Sequence, residues 1–185
     1  MKRILLEGPA VEPVLLPEMK AHLRLDGAAE DDLLGGLIAA ARVAVETEIR
    51  RALIAQRWRA VSDDWLWDGL LLPVAPALSV EAVRVIDRDG AATTIDSDDV
   101  AFEPADGSVR VTGPRPPRAD RIQIDFTAGY GASGSAVPQP LRQAIRLLVT
   151  HWYEHRSAAS VGEAVAAMPL GFGELVAPYR RLFLC

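Results

Sequence analysis

Ala128-Gly129-Tyr130-Gly131 and, a few residues on, Val137-Pro138-Gln139-Pro140 lead into a run that closes on His151-Trp152-Tyr153-Glu154-His155-Arg156. After Pro140 the apolar residues Leu141, Ala144, Ile145, Leu148 and Trp152 fall at helical spacing and make one stripe. Before Gly129 the pattern is of short strands. The glycines are thus the point where a β-rich segment turns back into helix, and they allow a tight turn there, with the ring of Tyr130 packed against it.

Upstream, from Gln56, the period is two: Trp58 and Ala60 alternate with Arg57 and Arg59. Val80–Ile86 runs into Asp87-Arg88-Asp89-Gly90, a hairpin signal. Short strands are expected near Val100–Phe102, Val109–Val111 and Ile122–Phe126, punctuated by prolines at 73–76 and 114–117. Further upstream the period is again helical. Leu16-Pro17-Glu18-Met19-Lys20-Ala21-His22-Leu23-Arg24-Leu25 reads as a short helix with proline in its first turn, ended by Asp26-Gly27. A longer helix follows, with Asp31 and Asp32 at its positive end. Its stripe is Leu34, Leu37, Ile38, Ala41, Val45, Ile49 and Ala52, while Arg42, Glu46 and Arg50 pair along another face.

These patterns predict an α+β fold: a bundle of three to four helices with an inserted antiparallel β-subdomain and an extended C-terminal arm. The expected divisions are residues 1–55 (N-terminal helices), 56–127 (β-insertion), 128–168 (third core helix and linker) and 169–185 (arm). The arm holds Phe172, Leu175, Val176, Tyr179, Leu182 and Phe183 beside Arg180 and Arg181. An apolar tail beyond the last core helix either folds back or docks on a partner.

Charge narrows the function classes. The three stretches 1–55, 56–127 and 128–185 carry net −2, −5 and +2, for −5 in all. No basic patch of the kind that grips DNA phosphates is present in the sequence. The single cysteine, Cys185, excludes an internal disulfide framework. The opening Met1–Glu7 becomes acidic too early for a signal peptide, and the longest apolar stretch, Leu33 to Ala41, is far short of the roughly 20 residues a membrane helix needs.

Three motifs in the opening stretch suggest chemistry. His151-x-x-Glu154-His155 fits the inverted zinc-peptidase pattern, with two histidines on one helix face. A third ligand is required, and downstream of His155 the sequence supplies only Glu163 and Glu174 as acids. Gly129-x-Gly131-x-x-Gly134 fits the dinucleotide fingerprint, but that loop must open directly onto a helix, and the prolines delay this one to about Pro138. Thr127-Ala128-Gly129-Tyr130-Gly131 echoes a potassium-filter loop without any spanning helix to hold it. Trp58, Trp65 and Trp67 read as sheet packing, and Asp96, Asp98 and Asp99 as a solvated turn that lacks the EF-hand glycine and glutamate.

In their order along the chain, several pieces resemble the head–tail connector (adaptor) family of tailed bacteriophages and phage-derived gene-transfer particles. They are Leu16–Leu25, Asp31-Asp32-Leu33-Leu34, Ala40–Glu46, Arg51–Trp58, Leu71-Leu72-Pro73 with Ser79-Val80, Ala128–Gly131 with Val137-Pro138, Trp152–Arg156 and Pro178-Tyr179-Arg180-Arg181. One departure is Arg50-Arg51, where the family often has glycine before Arg-Ala-Leu, so the second helix is expected to run a little further here. The resemblance implies a virion neck protein made in the host cytoplasm, with neither catalytic residues, metal nor cofactor. It implies a homo-oligomeric ring of about twelve copies between the portal and a tail-proximal stopper or head-completion protein. Duplex DNA would pass the lumen without specific binding. The helical bundle would make the contacts between subunits. The arm, with Leu170, Phe172, Leu175, Val176, Tyr179, Arg180, Arg181, Leu182 and Phe183, would bind the portal, and Gly129, Tyr130 and Gly131 would form the hinge turn. A zinc-dependent hydrolase using His151, Glu154 and His155, and a small monomeric binding module, stand as the alternatives.

Overall fold

A computed structural model describes residues 1–63, 69–114, 116, 119–155 and 168–181. Trp65, Trp67, Arg156, Glu163, Leu182 and Phe183 lie outside the described residues. The chain divides into two compact units, Met1–Ala10 with Ala55–Tyr130, and Val11–Ile54 with Gly131–Cys185.

The first unit is built on antiparallel sheets. Strands β1 (Lys2–Glu7), β2 (Gln56–Ser62), β4 (Ala77–Asp87), β5 (Ala92–Thr94) and β8 (Ala119–Ala128) form a five-stranded sheet in the order β1-β2-β8-β4-β5. Strands β3 (Leu70–Leu71), β6 (Val100–Glu103) and β7 (Ser108–Val111) form a second, in the order β3-β7-β6. The central β8 shows why the sheet holds. Ile122, Ile124, Phe126 and Ala128 are buried on one face, and the register sets Ala60 and Val83 against Ile124 and Val85 against Ile122. Arg121, Gln123, Asp125 and Thr127 occupy the other face, as a two-residue period requires. The β4–β5 hairpin closes as the sequence leads one to expect. Asp87 Oδ1 accepts the N–H groups of Asp89 and Ala91 at 2.9 and 2.8 Å, and Gly90 takes φ 86°. Strand β1 is an element that periodicity did not announce. Its three consecutive apolar residues show no alternation, and all six residues are exposed, so pairing to β2 defines it rather than burial. The first ten residues accordingly belong with the strands.

The second unit is helical: α1 (Leu16–Leu23), α2 (Asp31–Ile49), α3 (Gln139–Glu154) and α4 (Phe172–Val176). Its core follows the expected stripes, with Leu34, Ile38, Ala41, Val45 and Ile49 from α2 facing Leu141, Ala144, Ile145 and Leu148 from α3; Val149 joins them, while the expected Leu37 and Trp152 are only half-buried. Met19 of α1 and Phe172 and Val176 of α4 complete it, all buried. Fully burying such side chains contributes about 1.5–3 kcal/mol each. Both N-terminal helices stop at a left-handed arginine. Arg24 (φ 55°) ends α1 two residues short of the expected Leu25, and Arg50 (φ 56°) ends α2. The second helix therefore does not run further at Arg50-Arg51. Arg50 adopts the conformation a glycine would, because Ala52, Leu53 and Ile54 are drawn into the core immediately beyond it. The Leu53 N–H is taken by Glu46 Oε1 at 2.8 Å.

Candidate functional site

Each glycine of the opening stretch has a backbone reason. Gly129 has φ 146° and donates its N–H to the Pro76 carbonyl at 2.9 Å. Gly131 has φ 157°, and a Cβ there would stand 2.7 Å from the Ala136 Cβ. At Gly134 a Cβ would stand 2.6 Å from the Pro13 carbonyl oxygen. A 3-10 turn, Gly134–Ala136, then intervenes before α3 begins at Gln139. The loop thus does not open onto a helix N-terminus, so its amides are not gathered to cradle a pyrophosphate. Gly129, Tyr130 and Gly131 lie where the chain leaves one compact unit for the other.

At the far end of α3 the rings of His151 and His155 lie 4.6 Å apart, centroid to centroid, tilted by 37°. His155 Nδ1 is 2.8 Å from the His151 carbonyl oxygen, so one nitrogen of the pair is engaged by the backbone. Among the described residues no group of three His, Cys, Asp or Glu side chains is placed to hold a metal ion. The Asp96 cluster is a capping device: the Asp96 carboxylate accepts the Asp98 N–H at 3.1 Å and starts a 3-10 turn. The Trp58 indole N–H is buried and has no hydrogen-bond partner among the described residues.

Two polar clusters went unnoticed in the sequence. In the sheet unit, Asp125 is 4% exposed and lies opposite Arg59 across β2 and β8. Arg59 Nε and Nη2 donate to its two oxygens at 2.6 and 2.8 Å, and Arg84 Nη1 from β4 donates at 2.6 Å. The Arg59 hydrogen bonds, with those of Arg84, outweigh burial and hold the Asp125 carboxyl below its ordinary range. The same contact raises Arg59. A carboxylate clamped by two guanidiniums stays ionised and moves no proton near neutrality, so it works as a latch across three strands. In the helical unit, Arg142 donates to both Glu18 oxygens at 2.9 and 2.7 Å and to the Pro13 carbonyl at 3.0 Å. Burial pushes the Glu18 carboxyl up, but Arg142, the Leu15 N–H and Arg146 outweigh it and hold it low. The signal for both clusters was long-range pairing, which periodicity does not carry.

The C-terminal segment is engaged by its own unit. Phe172 and Val176 are buried, Arg51 Nε donates to the Tyr179 carbonyl at 2.8 Å, and the Arg181 N–H donates to the Ile49 carbonyl at 3.0 Å. Arg180 pairs with Glu48. Burial and the nearby charge of Arg51 pull the Arg181 guanidinium below its ordinary range. Phe172 and Val176 are therefore not free anchors. Leu170 is the reverse, 98% exposed, and Leu175 is half-buried.

The ion pairs, glycines and packing surfaces described above each serve the fold itself. Residues 15–175 match the model of the head completion protein family, and the chain belongs to that family. It is a structural protein, not an enzyme, so the zinc-hydrolase reading of His151, Glu154 and His155 falls. Similar solved structures include a chain from the neck of an empty GTA particle computed with C6 symmetry. It is 32% identical with a TM-score of 0.82, covering 100% of this chain and 98% of that one. A chain from the virion of a native gene transfer agent (GTA) particle is 32% identical with a TM-score of 0.81, over 100% and 98% of the two chains. A third, from the neck of a native GTA particle computed with C12 symmetry, is 34% identical with a TM-score of 0.74, over 98% and 97%. No curated protein matches the chain.

Proposed function

We propose that this protein is a neck subunit that joins the DNA-filled head of a phage-like particle to its tail, as one copy in a ring of about twelve. The observation that carries the reading is full-length likeness, at 32% identity, to a chain in a gene-transfer-agent neck. The C6 and C12 symmetries of those necks support the ring. In this reading the ring lies beneath the portal and above a tail-proximal stopper, is made in the host cytoplasm, and passes duplex DNA without gripping it. A net charge of −5 suits that passage, since like charge disfavours phosphate binding.

Portal docking falls to exposed Leu170 and Arg180 and half-buried Leu175 of the C-terminal segment, and to Leu182 and Phe183 beyond the described residues. Truncation after Met168 would also strip Phe172 and Val176 from the core, so the sharper test is Leu170→Asp with Leu175→Asp. That chain is expected to fold but to be lost from portal-containing particles at least tenfold. The role itself is tested by deleting the gene: heads without tails and tails without heads are expected, restored by the wild-type chain. A normal yield of complete particles would overturn the neck reading.

A further inference from the structure

Helix α2 has two apolar faces. Leu34, Ile38, Ala41, Val45 and Ile49 face the core. On the opposite side Leu33, Gly36, Ala40, Val43 and Thr47 are all exposed, spaced three, four, three and four residues apart. Leu33 and Val43 are 41% and 50% exposed. Between Asp32 and Glu46 the helix has one charge, Arg42, and it turns aside to Glu12 and Glu46, at 2.9 Å each. A solvated helix face is ordinarily charged; one that is apolar on both sides is ordinarily covered. The three-four spacing is that of a helix-on-helix seam, and among the described residues nothing lies within 4 Å of where a side chain at Gly36 would stand, which leaves a hollow for an incoming side chain.

We infer that this outer face of α2 packs against the outer face of α3 in the next copy of the chain. The inference rests on the ring reading. A closed ring needs two different, complementary faces on each subunit. Helix α3 packs on α2 across the shared core and turns Gln139, Gln143 and Leu147 the other way, with both glutamines exposed. The two outward faces therefore lie on opposite sides of one helical unit, as a head-to-tail contact requires. Leu33, Gly36, Ala40, Val43 and Thr47 carry no charge, nor do Gln139, Gln143 and Leu147, so contact along these residues buries no ion, and the two glutamine amides need hydrogen-bond partners across it. The helices are also opposite in sign. Helix α2 carries four acids against Arg42, and α3 carries Arg142 and Arg146 against Glu154.

The test uses assembled particles carrying Ala40→Cys and Gln143→Cys in a Cys185→Ser background. Within one chain the two positions point away from a shared core and lie roughly 20 Å apart, judged from helix diameter and packing distance. A disulfide spans Cα separations below about 7 Å, so an internal bond is excluded. Mild oxidation is expected to give a ladder of covalent dimers and higher multimers on a denaturing gel, absent from either single variant. Necks that image as rings of this chain but give no ladder overturn the α2–α3 contact and leave the ring standing. Necks without such a ring overturn both. Ala40→Glu supplies the second arm: thermal midpoint unchanged, incorporation into necks reduced at least tenfold. Normal incorporation would overturn the contact.

Discussion

Arg50 sits at φ 56° and ψ 40°, where a side chain's Cβ crowds the following carbonyl and costs roughly 1–2 kcal/mol. The conformation persists because the chain must turn at once to bury Leu53 and Ile54, and because the N–H groups of Arg50 and Arg51 both return to the Glu46 carbonyl. Arg50→Gly is expected to raise stability by about 0.5–1 kcal/mol, visible as a higher thermal midpoint, while Arg50→Ala brings no such gain. Equal effects of the two would remove backbone strain as the explanation. Here the residue type pointed the wrong way: arginine is a good helix former, and the stop is set by what lies three residues beyond. Asp125 carries a pH dependence. Its folded pKa lies below the unfolded value of about 3.9, so its stabilisation is complete above that pH and is lost as pH falls through the folded pKa. Asp125→Ala is expected to cost about 2–3 kcal/mol at neutral pH, discounted because the two arginine side chains are about a third exposed. Urea denaturation should show this loss shrinking below pH 4; a pH-independent loss would assign the effect to packing instead.

Helices and strands differ in how much of themselves they disclosed. Most of the inner stripes of α2 and α3 was legible, because burial repeats every three or four positions and each helix contributes its own signal; Val149 was missed, and Leu37 and Trp152 are only half-buried. Strand β8 was legible in its alternation, yet its partners were not, since register depends on residues some sixty positions away, as in Arg59 opposite Asp125. The glycines separate two physical causes. Gly131 and Gly134 leave no room for a Cβ, so alanine at either is expected to cost about 1–3 kcal/mol. Gly36, mid-helix with open space beside it, should do the opposite. Gly36→Ala is expected to stabilise the free chain by about 0.8–1 kcal/mol through helix propensity. Thermal melts of the isolated protein check both signs. A glycine that weakens its own helix and faces outward makes sense when another helix must come close there, which is why this residue belongs to the α2 seam and not to a cap.

For the whole molecule, three crossings of the chain between units, after Ala10, Ile54 and Tyr130, explain what sequence reading could and could not see. The crossings at Ile54 and Tyr130 coincide with changes of period from helical to alternating and back, so a β-rich insertion could be read directly. The crossing at Ala10 has no such change, because β1 is a short run of exposed residues whose identity as a strand comes only from β2. The functional surface had a similar fate. The motif-bearing end of α3 drew attention through His151 and Glu154, whereas the outer face of α2 stands out only by lacking charge. That absence of charge has a counterpart at the scale of the particle. The acidic excess is concentrated in residues 56–127, at net −5, and a chain proposed to let duplex DNA slide past would have to avoid the counterion release that drives phosphate binding. The purified chain is therefore expected to show no retardation of duplex DNA even at about 50 mM salt, where a protein making six to ten phosphate contacts binds some 10³–10⁵ times more tightly than at 200 mM. A salt-dependent shift in that gel assay would mean that the chain grips DNA, and the neck channel would then act as a brake and not merely a passage.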